Sequence, residues 1–280
     1  MTQFWLGLLA GIGIAYVAYR SQALNQSGGL AAGLLGTVVF GLGGVGWAAV
    51  LLTFFISSSF LSKLFKQRKA QLGQNFAKGS RRDAGQVAAN GAFSGLMALF
   101  YFFTAQTGFG QGWQPVLWVG FAASLAAANA DTWATELGVL NPRRPILLKD
   151  LRRVPQGTSG AVSLVGSLAA LAGAGLVAGM AVLSNLAGWT PAGTPSPGRQ
   201  FLVIVAGGVL GSFIDSFLGA TIQAVYYCPN CQKETERYPI HICGTKTEQK
   251  RGLPWLNNDW VNTACTFSAG IIGLLLAGLF

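Results

Sequence analysis

Apolar residues run through this chain in blocks long enough to cross a bilayer, separated by shorter polar stretches. Eight blocks cover roughly residues 4–19, 28–40, 45–64, 85–104, 114–138, 159–183, 200–226 and 258–279. A spanning helix needs about 20 predominantly apolar residues. The second block is short for that. It reads either as a half-helix or as one span with the third, joined through Gly41-Leu42-Gly43-Gly44. The pattern predicts an all-α, polytopic transmembrane bundle of 7–8 spans. It forms one domain over residues 1–280, with a small Cys/His loop insertion at about 227–257.

Composition agrees. The chain is 51% hydrophobic and 10% charged, with a mean hydropathy of +0.46. A soluble domain averages about 25% charged residues. The 39 glycines suit close helix–helix approach in lipid. The first block lacks a basic leader and no Ala-x-Ala site follows it, so it reads as a retained helix rather than a cleaved signal.

The net charge of +10 does not indicate nucleic acid, because the bases lie in loops between apolar blocks. Loop 65–84 carries Lys66, Arg68, Lys69, Lys78, Arg81 and Arg82. Loop 139–157 carries five bases from Arg143 to Arg153, and loop 227–257 carries five from Lys233 to Arg251. Loop 105–113 has none and loop 184–199 only Arg199. The positive-inside rule puts the three basic loops in the cytoplasm. Eight spans then leave both termini outside, and seven would move the N-terminus inside.

On this topology the polar residues of the apolar blocks converge. Four of the nine acids, Asp131, Glu136, Asp215 and Asp259, lie within or at the ends of membrane-length segments. A carboxylate in hydrocarbon costs about 2.5–3.5 kcal/mol on the mildest insertion scale, so such residues usually serve ions, protons or phosphates. All four fall toward the predicted cytoplasmic face, together with Ser57-Ser58-Ser59, Ser62-Lys63 and Gly157-Thr158-Ser159-Gly160. A weak internal echo also appears. Ser27-Gly28-Gly29 and Phe55 to Leu61 resemble Ser159-Gly160-Ala161 and Phe213 to Leu218, and Asn90 parallels Asn262. This suggests a 4+4 parallel repeat.

The densest cluster is Asn129-Ala130-Asp131-Thr132-Trp133-Ala134-Thr135-Glu136. Helical spacing puts Asn129, Thr132 and Glu136 on one face with Asp131 beside it. Oxygen ligands of this kind suit Mg²⁺, which takes one or two carboxylates plus substrate phosphates. Asp131, Asp215 and Asp259 are the candidate Mg²⁺ ligands, and Asp131, Glu136 and Asp215 the candidate catalytic groups. Gly157, Thr158 and Ser159 precede a block where a helix N-terminus would offer amides to phosphate. Lys63, Lys78, Arg82, Asn90, Asn129, Ser216 and Asn262 complete the candidate phosphate-binding set. The bland alternatives are an interhelical hydrogen-bond cluster, helix caps and topological charge.

Cys228-Pro-Asn-Cys231 followed by His241-Ile-Cys243 holds three of the four cysteines and the sole histidine. C-x₂-C with a following His and Cys matches structural zinc, and a cytoplasmic position argues against a disulfide. With His241 the only candidate base, Ser-His-Asp and Cys-His catalysis are disfavoured. Chemistry built on carboxylates, metal and bases points to phosphoryl transfer.

Several motifs together resemble one membrane family. They are Phe54-Phe55-Ile56-Ser57-Ser58-Ser59, Arg81-Arg82-Asp83-Ala84-Gly85-Gln86-Val87, Ala130 to Gly138, Gly157 to Ser163, Gly211-Ser212…Asp215-Ser216…Leu218-Gly219-Ala220 and Asn258-Asp259…Val261-Asn262. In order, from about residue 24 to the C-terminus, they are similar to the transmembrane protein 19 family, which includes the phytyl-phosphate kinase of vitamin E synthesis. Ala161 departs from the pattern, where a second glycine is expected after Gly160. The resemblance implies a kinase moving the γ-phosphate of a nucleoside triphosphate, CTP preferred, to phytyl phosphate or a related isoprenoid monophosphate. It also implies a lipid-facing groove for the isoprenoid tail. Two alternatives from other classes stay open: a transporter with a cytoplasm-facing acidic site, and a cytidylyltransferase making a CDP-lipid.

Overall fold

A computed structural model describes residues 2–65 and 81–279. Among these, the eight apolar blocks become eight α-helices: α1 (Thr2–Arg20), α2 (Gln26–Val38), α3 (Val45–Leu64), α4 (Ala84–Thr107), α5 (Gln114–Gly138), α6 (Leu164–Leu186), α7 (Pro197–Thr221) and α8 (Asn258–Gly278). The second block neither stays a half-helix nor merges with the third. It continues through a π-helical turn, Val39–Gly43, and breaks at Gly44, whose φ is +96°. The chain is thus an integral membrane protein with multiple apolar helices.

Seven of these helices are long and apolar enough to cross a membrane, counting α2 with its π turn. The eighth, α5, is the axis of the bundle. It packs on α3, α4, α6, α7 and α8, and every residue from Leu117 to Ala130 is buried. A helix enclosed by other helices faces little lipid, so packing rather than transfer free energy shapes its composition. That is why Ala, Ser and Asn are admitted there.

Contacts between connections define the two ends. At one end Gly46 abuts Trp189 and Gly193 lies near Pro115. Trp47, Trp118 and Phe121 fill the adjoining half, Trp47 standing edge-on to Trp118 at 5.4 Å and tilted against Phe121 at 4.4 Å. The opposite end gathers residues 21–25, 81–83, 139–163 and 222–257. Here Leu24 bridges to Arg82, β1 (Ile146–Leu147) pairs with β2 (Ala161–Val162), and β3 (Val225–Cys228), β4 (Lys233–Thr235) and β5 (Glu248–Arg251) form a small sheet in the order β4-β3-β5. The described loop bases cluster at this end, with Arg199 the exception.

Helix α6 starts later than expected. Gly157 and Gly160 both take positive φ, at +82° and +77°, and β2 intervenes before Ser163 caps Leu164 by accepting from the Gly166 amide at 3.1 Å. The Gly157–Gly160 turn is therefore a separate element, not the helix N-terminus predicted above.

Candidate functional site

The basic end holds a cavity of about 460 Å³ bounded by α4, α5, α6, α7, α8 and the loops after α5 and α7. Its position follows from local structure. Helix α5 turns from an all-buried Ala-rich stretch to a polar one at Asp131, so Asp131, Thr132, Thr135 and Glu136 face the opening. Helix α7 brings Asp215 and Ser216, and α8 brings Asn258 and Asn262. The three candidate catalytic acids share this space.

Asp215 Oδ2 is buried without a hydrogen-bond partner among the described residues, while Asp131 and Glu236 bear on its charge. Asp131, Asp215 and Glu236 all line this cavity, and carboxylate oxygens are the donors a hard cation such as Mg²⁺ takes. Glu136 is buried and its Oε1 accepts from Ser62 Oγ at 2.7 Å, which ties α3 to α5.

Arg82 enters from the start of α4. Asp83 caps that helix in a capping box: its side chain accepts from the Gln86 amide at 2.9 Å, and Gln86 Oε1 accepts from the Asp83 amide. Arg82 itself is clamped by its backbone, donating to Ala23 O and accepting from the Asn25 amide, both at 3.0 Å. Gly28 makes the clamp possible, since a Cβ there would strike the Arg82 carbonyl. The guanidinium lies 5.4 Å from the centre of the Phe54 ring. Burial lowers its pKa to about 10, with the Glu136 charge opposing that fall; it remains cationic at neutral pH.

Opposite, Gly157, Thr158, Ser159 and Gly160 line the cavity. Ser159 Oγ donates to Gln223 Oε1 at 2.9 Å, and Gln223 Nε2 donates to Glu236 Oε1 at 3.0 Å. Arg251 donates to the carbonyls of Gly219 and Ser159. The Cys/His insertion is thereby bolted to the turn, and it contributes Glu236 and Arg237 to the wall. Arg237 Nε is buried with no partner among the described residues, a donor available to an anion.

Some candidates lie elsewhere. Asn129 is completely buried below the cavity. It accepts from Ser57 Oγ at 2.9 Å and donates to Gly173 O at 2.8 Å, so its amide is occupied in joining α3, α5 and α6. Lys63 is exposed at the end of α3 and outside the cavity wall. Asp259 is in the first turn of α8 beside wall residues but is not one of them. The cap of α8 is Asn257, whose Oδ1 accepts from the Asp259 and Trp260 amides. Lys78 falls outside the described residues. Arg82, Asn90, Gly157, Thr158, Ser159, Ser216 and Asn262 all line the cavity. Gln86, Gln223, Glu236 and Arg237 were missed. The adjacent Glu236-Arg237 pair beside the Cys/His segment was the available signal, but Arg237 counts there only toward the loop's topological charge and Glu236 lies outside the apolar blocks.

In the insertion, ligand atoms of Cys228, Cys231, His241 and Cys243 all lie within 4.8 Å of one another. Cys228 Sγ is 3.5 Å, and His241 Nδ1 3.1 Å, from Cys243 Sγ. A tetrahedral zinc with Zn–S near 2.3 Å needs sulfurs about 3.8 Å apart, so the donor set and spacing fit.

The family described as Integral membrane protein DUF92 matches residues 9–270. Protein PGR of Arabidopsis thaliana is 32% identical over 264 residues, 89% of this chain and 87% of its own length. A membrane protein of Methanocaldococcus jannaschii, MJ0933, is 27% identical over 94% of this chain and 90% of its own. Protein VTE6, chloroplastic, of Arabidopsis thaliana is 27% identical over 90% of this chain and 65% of its own. No solved structure matches.

Proposed function

Because the chain belongs to the integral membrane protein DUF92 family, we propose that it is a membrane kinase for isoprenoid monophosphates. It would move the γ-phosphate of a nucleoside triphosphate, CTP preferred, onto phytyl phosphate or a relative. The observation that carries this reading is one cavity holding Asp131, Glu136 and Asp215 together with Arg82, Arg237 and the Gly157–Gly160 turn. The resemblance to the phytyl-phosphate kinase family supplies the substrate class.

A non-bridging oxygen of the acceptor phosphate attacks the γ-phosphorus. A new P–O–P bridge forms as the bond to the β–γ bridging oxygen breaks, and the nucleoside diphosphate leaves with that electron pair. The acceptor is already ionised at neutral pH, so no strong general base is required. The main obstacle is repulsion between two polyanions, and catalysis of this type rests on positioning and charge. Arg82 and Asn90 hold the acceptor phosphate, while Arg237 and the Gly157–Ser159 turn meet the triphosphate. Asp131 and Asp215 are the residues that would hold Mg²⁺, which supplies charge neutralisation on the phosphoryl oxygens.

The test is purified protein with CTP radiolabelled at the γ-phosphate and phytyl phosphate, followed by lipid extraction. Label recovered in a lipid diphosphate is the expected result. Label left in pyrophosphate beside an unlabelled CDP-lipid would mean nucleotidyl transfer and overturn the kinase reading. With no transfer of either kind, a transporter becomes the better account.

We place the cavity on the cytoplasmic side, where nucleotide and the positive-inside rule put it. Single cysteines at the exposed Arg144 and Lys250 of a cysteine-free variant are expected to react with an impermeant thiol reagent only in inverted vesicles. Cysteines at Gln111 and Ala192 are expected to do the reverse. Labelling of Arg144 and Lys250 from opposite faces would break the one-site scheme.

Cys228, Cys231, His241 and Cys243 are proposed to hold one structural zinc that keeps Glu236 and Arg237 on the cavity wall. Metal analysis of untagged protein is expected to give about one zinc per chain. Zinc near zero, with unchanged thermal stability in a Cys228→Ser/Cys231→Ser variant, would reject it.

A further inference from the structure

A second recess, of about 310 Å³, lies between the α1–α2 hairpin and α3, with α4 at its back. It exists because the hairpin packs on α4 while α3 packs on α5 and α6, leaving a lateral gap. Its walls are apolar: Ile14 and Ala18 of α1, Ala32 and Leu35 of α2, Ala48 and Leu52 of α3. At one end the lining changes to Arg82, Gln86 and Asn90, and these same three residues line the polar cavity described above. The two spaces therefore share a wall, and a cation with two amides stands on it.

We infer that this slot holds the isoprenoid tail of the acceptor, with its phosphate at Arg82. The inference rests on the kinase reading for the identity of the lipid. An amphiphile with one anionic head and a long hydrocarbon tail matches the sequence of surfaces. The head meets the guanidinium of Arg82, whose backbone is held by Ala23 and Asn25. The tail continues past Phe54, which stacks beneath that guanidinium and also lines the slot. A nucleotide, polar at both ends, has no reason to enter a recess lined by Ala, Leu, Ile and Phe. Binding the tail there would orient the head toward Asp131 and Asp215 without further contacts. Substrate would enter sideways from the bilayer between α1 and α3.

The test uses the full chain in lipid nanodiscs and a prenyl monophosphate carrying a diazirine near the far end of its tail. After irradiation, adducts are mapped by mass spectrometry. They are expected on slot residues of α1, α2 and α3. Labelling is expected to fall about tenfold or more when Ala32→Phe and Ala48→Phe fill the slot, since even one methylene in an apolar pocket changes affinity by that order. In the single Ala48→Phe variant the preferred chain should shorten. Adducts on α6, α7 or α8 instead, or equal labelling of the filled variant, would overturn the inference. So would equal labelling by a diazirine phosphatidylcholine, which would mark the slot as ordinary lipid contact. The labelling needs no nucleotide. Slot adducts without any γ-phosphate transfer would retain a prenyl-phosphate site and sink the kinase reading alone. Transfer with adducts elsewhere would do the opposite.

Discussion

Asp131→Asn and Asp215→Asn are each expected to reduce prenyl-phosphate phosphorylation by at least about 10²–10³-fold, the order seen when one electrostatic group of an active site is removed. Each substitution keeps the side chain's size and removes its charge. Asp131 and Asp215 reach one cavity from α5 and α7, and Asp215 Oδ2 has no hydrogen-bond partner among the described residues to lose. The fold should therefore survive. Thermal unfolding in detergent is expected to stay near that of the parent. Glu136→Gln is expected to join them in lost turnover, since Glu136 faces the same cavity and is fixed by Ser62. Near-normal turnover in all three purified variants would dispose of the carboxylate site.

Gly160→Ala is expected to have the next largest effect, through shape. Gly160 sits at φ +77°, and a Cβ there would run into the backbone of Gly219 and Ala220 on α7. The left-handed conformation alone costs a non-glycine residue about 1–3 kcal/mol. The collision adds to it, because backbone cannot rotate aside as a side chain would. The turn must lift off α7, carrying Ser159 away from Gln223. Activity and unfolding temperature should both fall. Gly188→Ala is the control, with a similar φ of +73° but open space around the new methyl. It is expected to show the dihedral cost alone, with turnover retained. Equal behaviour of the two variants would mean that the packing of the turn on α7 is not what matters.

The helices were legible because the signal is local. Blocks of apolar residues declare membrane helices wherever they fall, and loop bases declare an end. Even α5 was found by length, although enclosure makes it less apolar than its neighbours. The capping box at Asp83 and Gln86 is likewise written in consecutive residues, and so is the Cys/His cluster, whose four members lie within sixteen positions.

What failed was depth and partnership. Asn129 and Asp131 differ by two positions, yet one is spent on Ser57 and Gly173 while the other faces the cavity. Spacing along a helix sets the angle of a side chain but not which neighbour waits there. The start of α6 moved for a related reason: Gly160 takes a positive φ in a turn that packs against Gly219 and Ala220, some 60 residues away.

By itself, then, the sequence determined that this is a polytopic helical membrane protein whose carboxylates, bases and Gly/Ser turn gather toward one end. It also determined that a compact set of three cysteines and a histidine stands beside them. Those facts depend on hydrophobicity, charge and short spacing, which act within one element. Only the tertiary structure decided that Glu236 and Arg237 of the insertion join the cavity, that Asn129 does not, and that a slot opens between α1–α2 and α3 onto Arg82. Those facts depend on which helix packs on which, a balance of many small van der Waals contacts between distant segments that no local pattern encodes.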